Sequence, residues 1–331
     1  DQSSTFSSTV TFVASSGTIA AVTINDSNAL DLKALTTTGN LTVTAGGAVT
    51  DSGTLVIPGT ATISASGQAV TLDDSSNNFA TLLVTGANVA VTDTNAIILG
   101  ASTISGSYTL TAGGAVTDEG ALAISGDTTI VAGSGNDITL DHTSNNFGGG
   151  VKITSGRNVT LVDANLIILG DSTVSGTYDV TATSGGNIND NGVLAITGAA
   201  TFTVAGGRNI ILDQSSTFSS TVTFVPSSGT LNAVTIKDST AFDIKAITTT
   251  GTLKVIAGGA ITDSGNLTVG GITTLEAGSG NNITLDRVGN DFQDAVKITS
   301  GNNVTLVDAG AIDLGASTVS GTYAVTATAS G

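Results

Sequence analysis

The chain has 331 residues, no cysteine, 43 glycines and only 2 prolines, and its 26 acidic against 9 basic residues give a formal net charge of −17. Without a cationic stripe to displace the counterions of a phosphate backbone, nucleic-acid binding is excluded, and without cysteine the fold contains neither disulfides nor thiolate zinc sites. No apolar run approaches the roughly 18 residues that cross a bilayer and no charged-then-apolar leader is present, so we expect no transmembrane segment.

A long repeat opens the chain. Residues 1–13 read DQSSTFSSTVTFV and recur letter for letter at residues 213–225. The match continues with small insertions to the last residue, so that residues 1–118 resemble residues 213–331. The sequence therefore predicts a super-repeat of 212 residues inside one continuous array over 1–331, with no internal domain boundary.

Aspartates that follow Val/Ile-rich runs mark a shorter period. Asp1 opens the series, and its other members are Asp26, Asp51, Asp73, Asp93, Asp118, Asp141, Asp163, Asp190, Asp213, Asp238, Asp263, Asp286 and Asp308. Their gaps run from 20 to 27 residues and average about 23.6, which is typical of solenoids. Nine such periods fit the 212-residue repeat.

Aromatic residues mark an intermediate period of about 70 residues, which corresponds to three of the short periods. They are Phe6, Phe79, Phe147, Phe218 and Phe292, together with Tyr108, Tyr178 and Tyr323.

One short period shows the local structure. Residues 121–125, 128–132 and 137–141 are rich in Val, Ile, Leu and Thr, and Gly, Asn, Asp and Ser separate them. These are three short strands with turns between them. Helices are excluded by the glycine content and by the lack of any i, i+3, i+4, i+7 pattern.

Strands this short bury their apolar faces only when each turn stacks on the next. We therefore predict an all-β fold, a right-handed parallel β-helix (β-solenoid) of about 14 turns, each of about 23–24 residues and three short strands. Both termini fall inside the repeat without a visible cap, so we expect either part of a longer array or a subunit that associates end to end.

The aspartate series is the strongest candidate for a functional site. If one aspartate occupied every turn, the carboxylates would stack at about 4.8 Å and could bind a row of calcium ions. Alternatively, each aspartate caps a turn by hydrogen bonding to the backbone of the next turn. The neighbouring Ser, Thr and Gly residues favour this second interpretation, because no second ring of carboxylates is present. A catalytic carboxylate pair is the weakest interpretation, since a feature repeated along the whole chain is explained by the fold.

Other polar residues predict no site. His142 is the only histidine, and the residues after matching aspartates are Asp74, Gln214 and Arg287, so this position is an exposed turn. The segment 133–137, GSGND, resembles a calcium-binding nonapeptide only faintly and is interpreted as a turn. Lys152 and Lys297 occupy outward strand positions. We therefore predict no catalytic residue and no cofactor.

Threonine runs raise the alternative of ice binding. Thr-x-Thr occurs at residues 42–44 and 181–183, and outward threonines are also common on any strand. The runs do not fall in every period.

Two segments resemble a known family. Residues 39–53, GNLTVTAGGAVTDSG, and 135–141, GNDITLD, are similar to the central repeats of filamentous haemagglutinin-type bacterial exoproteins. This resemblance covers the whole chain and implies a right-handed β-helical shaft, exported through the outer membrane and displayed as a fibre.

The function expected from these observations is that of a non-catalytic structural shaft of an extracellular bacterial filament or surface adhesin. Its expected partners are further copies of the array and a host or matrix surface. A glycan-active β-helix, such as a polysaccharide lyase or tailspike, is the alternative from another class. It requires clustered carboxylates and basic residues, whereas Arg157, Arg208 and Arg287 are far apart in the sequence.

Overall fold

A computed structural model describes residues 4–6 and 10–328, and within them every regular element is a β-strand. The chain forms two compact units, one of residues 1–164 with 173–175 and the other of residues 165–172 with 176–331. No helix capable of spanning a membrane occurs in the described part of the chain.

The first unit contains nineteen whole strands among its described residues. They are β1 (Val22–Asp26), β2 (Leu30–Leu32), β3 (Leu35–Thr36), β4 (Leu41–Ala45), β5 (Val49–Asp51), β6 (Leu55–Ser64), β7 (Val70–Leu72), β8 (Asn78–Gly86), β9 (Val89–Asp93), β10 (Ile97–Leu99), β11 (Ser102–Ile104), β12 (Tyr108–Ala112), β13 (Val116–Asp118), β14 (Leu122–Ile124), β15 (Thr128–Val131), β16 (Ile138–Leu140), β17 (Asn146–Phe147), β18 (Gly150–Ser155) and β19 (Val159–Asp163).

The remaining strands belong to the second unit, except that β21 has residues in both. They are β20 (Ile167–Leu169), β21 (Ser172–Val174), β22 (Tyr178–Ala182), β23 (Ile188–Asp190), β24 (Leu194–Ile196), β25 (Ala200–Val204), β26 (Ile210–Phe218), β27 (Val222–Pro226), β28 (Val234–Asp238), β29 (Phe242–Ile244), β30 (Ile247–Thr249), β31 (Leu253–Ala257), β32 (Ile261–Asp263), β33 (Leu267–Val269), β34 (Thr273–Glu276), β35 (Ile283–Leu285), β36 (Asp291–Phe292), β37 (Val296–Ser300), β38 (Val304–Asp308) and β39 (Tyr323–Ala327).

Each unit is a parallel β-solenoid, because each strand pairs in parallel with the strand one turn later. In the first unit the five turns from Val49 to Val151 span 102 residues (151 − 49), about 20 per turn. In the second unit the six turns from Ile167 to Val296 span 129 residues (296 − 167), about 21.5 per turn. The predicted fold class is confirmed, while the right-handed sense and the undivided array stay predictions.

The turn is shorter than the aspartate spacing indicated, and the described residues form about 15 turns where the sequence predicted about 14. The reason lies in the aspartates themselves. Asp73 and Asp93 follow strands of one sheet, where β7 pairs with β9, but Asp118 ends β13, which pairs with β10 in another sheet. The gap from Asp93 to Asp118 is therefore a full turn plus one further strand.

The 70-residue repeat contains more than three turns. Most turns have one long strand of about five residues and two shorter ones. In the first unit the long strands stack first through β1, β4, β6 and β8 and then, in a different sheet, through β9, β12, β15 and β18. Because the repeat is not a whole number of turns, equivalent residues of successive repeats lie in different sheets, as Asp51 in β5 and Asp118 in β13 do.

Alternation of side chains builds the core. In β4 the residues Leu41, Val43 and Ala45 are buried, whereas the threonines between them are not, as the period of two along a strand requires. Aromatic side chains fill the wider places. In the second unit Phe202 contacts Tyr178 and Phe224 with ring centroids 6.1 Å apart, within the range of favourable aromatic pairs.

Glycines occupy corners where one turn passes close to the next. A Cβ atom on Gly186 would lie 1.9 Å from the carbonyl oxygen of Asn165, which is backbone that cannot rotate away, whereas a Cβ atom on Gly280 would have no neighbour within 4 Å. We expect Gly186→Ala to lower the free energy of unfolding by about 2 kcal/mol or more. Gly280→Ala, the matched control, should change it by less than about 1 kcal/mol. Thermal unfolding followed by circular dichroism compares them, and equal midpoints would contradict the close-approach explanation.

Candidate functional site

The aspartates do not form one stack along the solenoid, so the prediction of a single ladder is wrong. In the strand registers Asp26 lies beside Ala45, and Asp51 lies beside Leu32. The series instead consists of three kinds of position that alternate along the chain. The buried ones are Asp26, Asp93, Asp163, Asp238 and Asp308, the half-buried ones are Asp51, Asp118, Asp190 and Asp263, and the exposed ones are Asp73, Asp141, Asp213 and Asp286. Asp1 lies outside the described residues.

Each half-buried aspartate ties one turn to the next. The carboxylate of Asp118 accepts the backbone N–H groups of Asp141 and His142 at 3.0 and 3.3 Å and the side-chain amide of Asn145 at 2.6 Å. The Oδ1 atom of Asn145 in turn accepts the backbone N–H of Leu122 at 2.8 Å. We call this Asp–Asn pair the acid–amide clamp. These are hydrogen bonds of the kind that the turn-capping interpretation predicts.

The clamp recurs along the chain. The amide of Asn77 donates to Asp51 at 2.6 Å, and that of Asn290 donates to Asp263 at 2.7 Å. All three clamp asparagines are fully buried, and each accepts the backbone N–H of a leucine. A buried asparagine with its hydrogen bonds satisfied on both sides fixes the register between neighbouring turns.

One clamp lacks its amide. At the matching position in the second unit Ser216 replaces asparagine, and its hydroxyl accepts the N–H of Leu194 at 3.0 Å. The carboxylate of Asp190 keeps the backbone N–H groups of Asp213 and Gln214 but has no side-chain donor. Burial raises the pKa of Asp190 to about 6. Burial also raises the pKa of Asp51 and of Asp263, where the clamp asparagine opposes the change.

The buried aspartates end long strands and differ in how their oxygens are used. Asp93 is satisfied on both sides, because Oδ1 accepts the N–H of Phe79 at 2.7 Å and Oδ2 that of Asn95 at 3.1 Å. In Asp238 only Oδ1 accepts the N–H and the hydroxyl of Thr240. Its Oδ2 is buried without a hydrogen-bond partner, as are the Oδ2 atoms of Asp26 and Asp308. Burial raises the pKa of Asp93 and of Asp238.

These contacts bear on the calcium hypothesis. Nowhere in residues 4–6 and 10–328 do three Asp, Glu or His side chains come together as a metal site would require. At the clamps a calcium ion would have to displace N–H donors from the carboxylate. Turn capping therefore stays the favoured interpretation of the aspartate series, and calcium binding stays the alternative.

The other sequence candidates lie at separate turns and strands. The Nδ1 atom of His142 accepts the N–H of Ser144 at 3.2 Å within its own turn. Lys152 is exposed on β18 beside Thr129, and Lys297 lies on β37 beside Thr274. Lys152 and Lys297 thus occupy matching strand positions, one in each unit.

The turn at residues 133–137 carries an ion pair that sequence reasoning missed. Arg157 donates to both carboxylate oxygens of Asp137, at 2.6 and 2.7 Å. The hydrogen bond from Arg157 lowers the pKa of Asp137 to about 2. At the matching positions of the second unit stand Asn282 and Asn302, and the Oδ1 atom of Asn282 accepts hydrogen bonds from Asn303 instead. The change of both residues between the two matching segments was the signal in the sequence that could have revealed this ion pair.

A second ion pair occurs twice at the same spacing as the super-repeat. Lys33 lies 3.0 Å from Asp31, and Lys245 lies 2.7 Å from Asp243. Lys245 also donates to Ser264, a residue of the next turn. Because these side chains are about one third exposed, each pair contributes little to stability.

Threonines stack more regularly than their sequence spacing indicated. Thr23, Thr42 and Thr62 are in register on three successive turns. A neighbouring column on the same strands continues through five turns and consists of Asn25, Thr44, Ser64, Thr85 and Thr103. The ice-binding alternative thus has a hydroxyl array of limited height in the first unit.

Fold and contacts together define a β-solenoid repeat protein in which polar side chains at the corners fix one turn to the next. The chain belongs to a family of repeats of unknown function, DUF5649, which matches residues 19–85, 86–154, 156–225, 231–299 and 301–331. Each of the four full-length matches contains one stack of long strands. The half-buried aspartates also occur once in each of these matches. No curated protein and no solved structure matches the chain.

The clamp predicts a loss of stability when its amide is removed. Asn145→Ala should lower the free energy of unfolding by about 2–4 kcal/mol, because the buried N–H of Leu122 and the carboxylate of Asp118 each lose a partner. The matched control is Asn146→Ala at the exposed neighbouring position, with an expected change below about 0.5 kcal/mol. Hydrogen exchange at Leu122 and thermal unfolding measure the difference. Similar losses in the two variants would show that the clamp does not determine stability.

The incomplete clamp predicts a stability that depends on pH. Because the folded pKa of Asp190, about 6, lies above the usual aspartate value of 3.8, its contribution to stability is complete below pH 3.8 and is lost as the pH rises through about 6. Exchange protection of the Asp213 and Gln214 amides, corrected for intrinsic rates, should therefore fall over this range and level off above it. Asp190→Asn should abolish the fall, and a carboxyl carbon titrating below pH 5 would refute the assignment.

Proposed function

We propose that this chain is a structural shaft of an extracellular bacterial filament or surface adhesin, providing length and stiffness rather than chemistry. The observation that supports it is the turn-to-turn pairing within each unit, reinforced at the repeats by the acid–amide clamps. A stack of turns grows by adding further identical turns, and its stability accumulates from nearest-neighbour contacts.

The resemblance to filamentous haemagglutinin-type exoproteins supports the same proposal and adds a location, the outer surface of a bacterium. Absence of cysteine fits a fold that draws its stability from packing and backbone hydrogen bonds. The proposed partners are further copies of the array, joined end to end or as parts of one longer chain, and a host or matrix surface.

The proposal has a direct test in negative-stain electron microscopy of the purified chain. Rods or filaments of uniform width are expected, and compact particles without a long axis would overturn it. Light scattering over a concentration series then separates the two forms of the shaft. A mass that rises with concentration indicates a polymerising subunit, whereas a constant mass indicates a segment of one array. Gly186→Ala, which disturbs the close contact between two turns, serves as the control. If this variant no longer forms rods, the rods depend on the stacked turns.

A further inference from the structure

Turn-to-turn pairing is interrupted in the second unit, after β27. This strand pairs with β25 and is the last of its sheet, and in the following turn β29 and β30 are each the first strand of theirs. The contact between these two turns therefore retains one ladder, β26 with β28. The next contact has three, formed by β28 with β31, β29 with β32 and β30 with β33. We call the gap between residues 219–230 and residues 240–248 the β27 slit.

The slit is a local gap in the wall of the solenoid and is closed at both ends. At one end Ser239 donates its backbone N–H to the carbonyl of Ser216 at 2.7 Å, and at the other Thr250 donates to the carbonyl of Leu231 at 2.9 Å. Among the described residues no backbone hydrogen bond crosses the slit between these two points. Two cavities of about 270 and 460 Å³ lie there instead.

Backbone N–H groups line both edges of the slit. Successive N–H groups of a strand point to opposite neighbours, and Ser227, just after β27, donates back to Val204 of β25. The N–H groups of Val222 and Phe224 therefore face the slit. On the other edge that of Asp243 does so, because its neighbours in β29 are bonded to the β32 side. Within the described residues none of these three N–H groups has a hydrogen-bond partner, so the contact lacks bonds that stabilise a fully paired turn.

The matching segment of the first unit is paired at this point. Val10 and Leu32 form a β-bridge there. Val222 and Ile244 stand 212 positions later and share neither a ladder nor a bridge. The interruption is therefore not a general property of the repeat.

Two of the residues that differ between these segments lie at the slit. Pro226 replaces Ala14, and Phe242 replaces Leu30. Pro226 occupies a position of β27 whose N–H would face the slit, and proline, which has no N–H, occurs in sheets at free edges. Phe242 is buried and places a larger side chain in the same narrow interior, where extra volume displaces the surrounding backbone. Both replacements oppose closure of the slit.

We propose that the contact at the β27 slit is a built-in breakpoint, which opens more readily than the fully paired turns that follow it. The stability of a stack accumulates from contacts between neighbouring turns, so a contact with one ladder opens at a lower free energy than a contact with three. In a shaft under tension the second unit would lengthen first at this contact. The inference goes beyond the proposed shaft and does not rest on it, because the opening is a property of the two turns alone.

Amide hydrogen exchange followed by NMR on the full chain tests the proposal, and strand β28 supplies an internal comparison. The N–H of Thr235 is bonded back to β26 across the contact that contains the slit, whereas those of Val234 and Ile236 are bonded forward to β31. If the slit contact opens by itself, Thr235 should exchange about ten-fold or more faster than either neighbour after correction for intrinsic rates. Equal protection of the three amides would overturn the proposal.

Variants that restore the residues of the first unit test the cause. Pro226→Ala supplies the missing N–H and Phe242→Leu removes the added volume, so each alone and both together should slow the exchange of Thr235 toward that of Val234, by about three-fold or more in the double variant. Lys237→Asn, the matched control, also restores a first-unit residue but lies on β28 outside the slit, and it should leave the ratio of the two rates within about two-fold. Circular dichroism verifies the fold of each variant. A ratio unchanged in all variants of Pro226 and Phe242 would refute their role in holding the slit open.

Discussion

Backbone hydrogen bonding between consecutive turns is the interaction on which every other feature of this molecule depends. Most of the strands have two to five residues and are too short to be stable alone, and each covers its apolar side only when the next turn lies on it. The separation between turns is then fixed by the hydrogen bond. At the corners the backbone of one turn passes the backbone of the next at this same short separation. Glycines occupy such corners, as at Gly46, where a Cβ atom would lie 2.2 Å from the carbonyl oxygen of Ser27. Small aliphatic residues follow from the same narrow interior.

Polar side chains are buried where backbone N–H groups have no hydrogen-bond partner in a neighbouring strand. At a corner the chain leaves the strand register, so that N–H groups from the following turn lack a strand partner. The clamp at Asp118 and Asn145 supplies these partners with one carboxylate and one amide. Exchange of the asparagine for Ser216 preserves the acceptor for Leu194 but removes the donor to Asp190, and the cost appears as a pKa of about 6. The clamp therefore contributes both to register and to the charge state of its acid.

Much of the architecture could be predicted from alternating Val, Thr and Ile residues. The alternation predicts short strands with one apolar face, and parallel stacking of turns buries the apolar faces of so many short strands. The turn length could not be read from the aspartates, because a step of one turn and a step of one turn plus a strand differ by only a few residues. The clamp asparagines had a signal, the recurring Asn-Asn-Phe at residues 77–79 and 145–147.

Because the 70-residue repeat is not a whole number of turns, it determines where equivalent outward side chains lie on the surface. Had each 70-residue copy closed on a whole number of turns, duplicating it would have aligned identical outward residues into one uninterrupted stripe. Here the long strands β1, β4, β6 and β8 stack in one sheet of the first unit, and the next four, β9, β12, β15 and β18, stack in another. The threonine columns therefore end after a few turns. Repetition of the 70-residue segment thus places small polar patches on different sheets of the first unit instead of building one extended face.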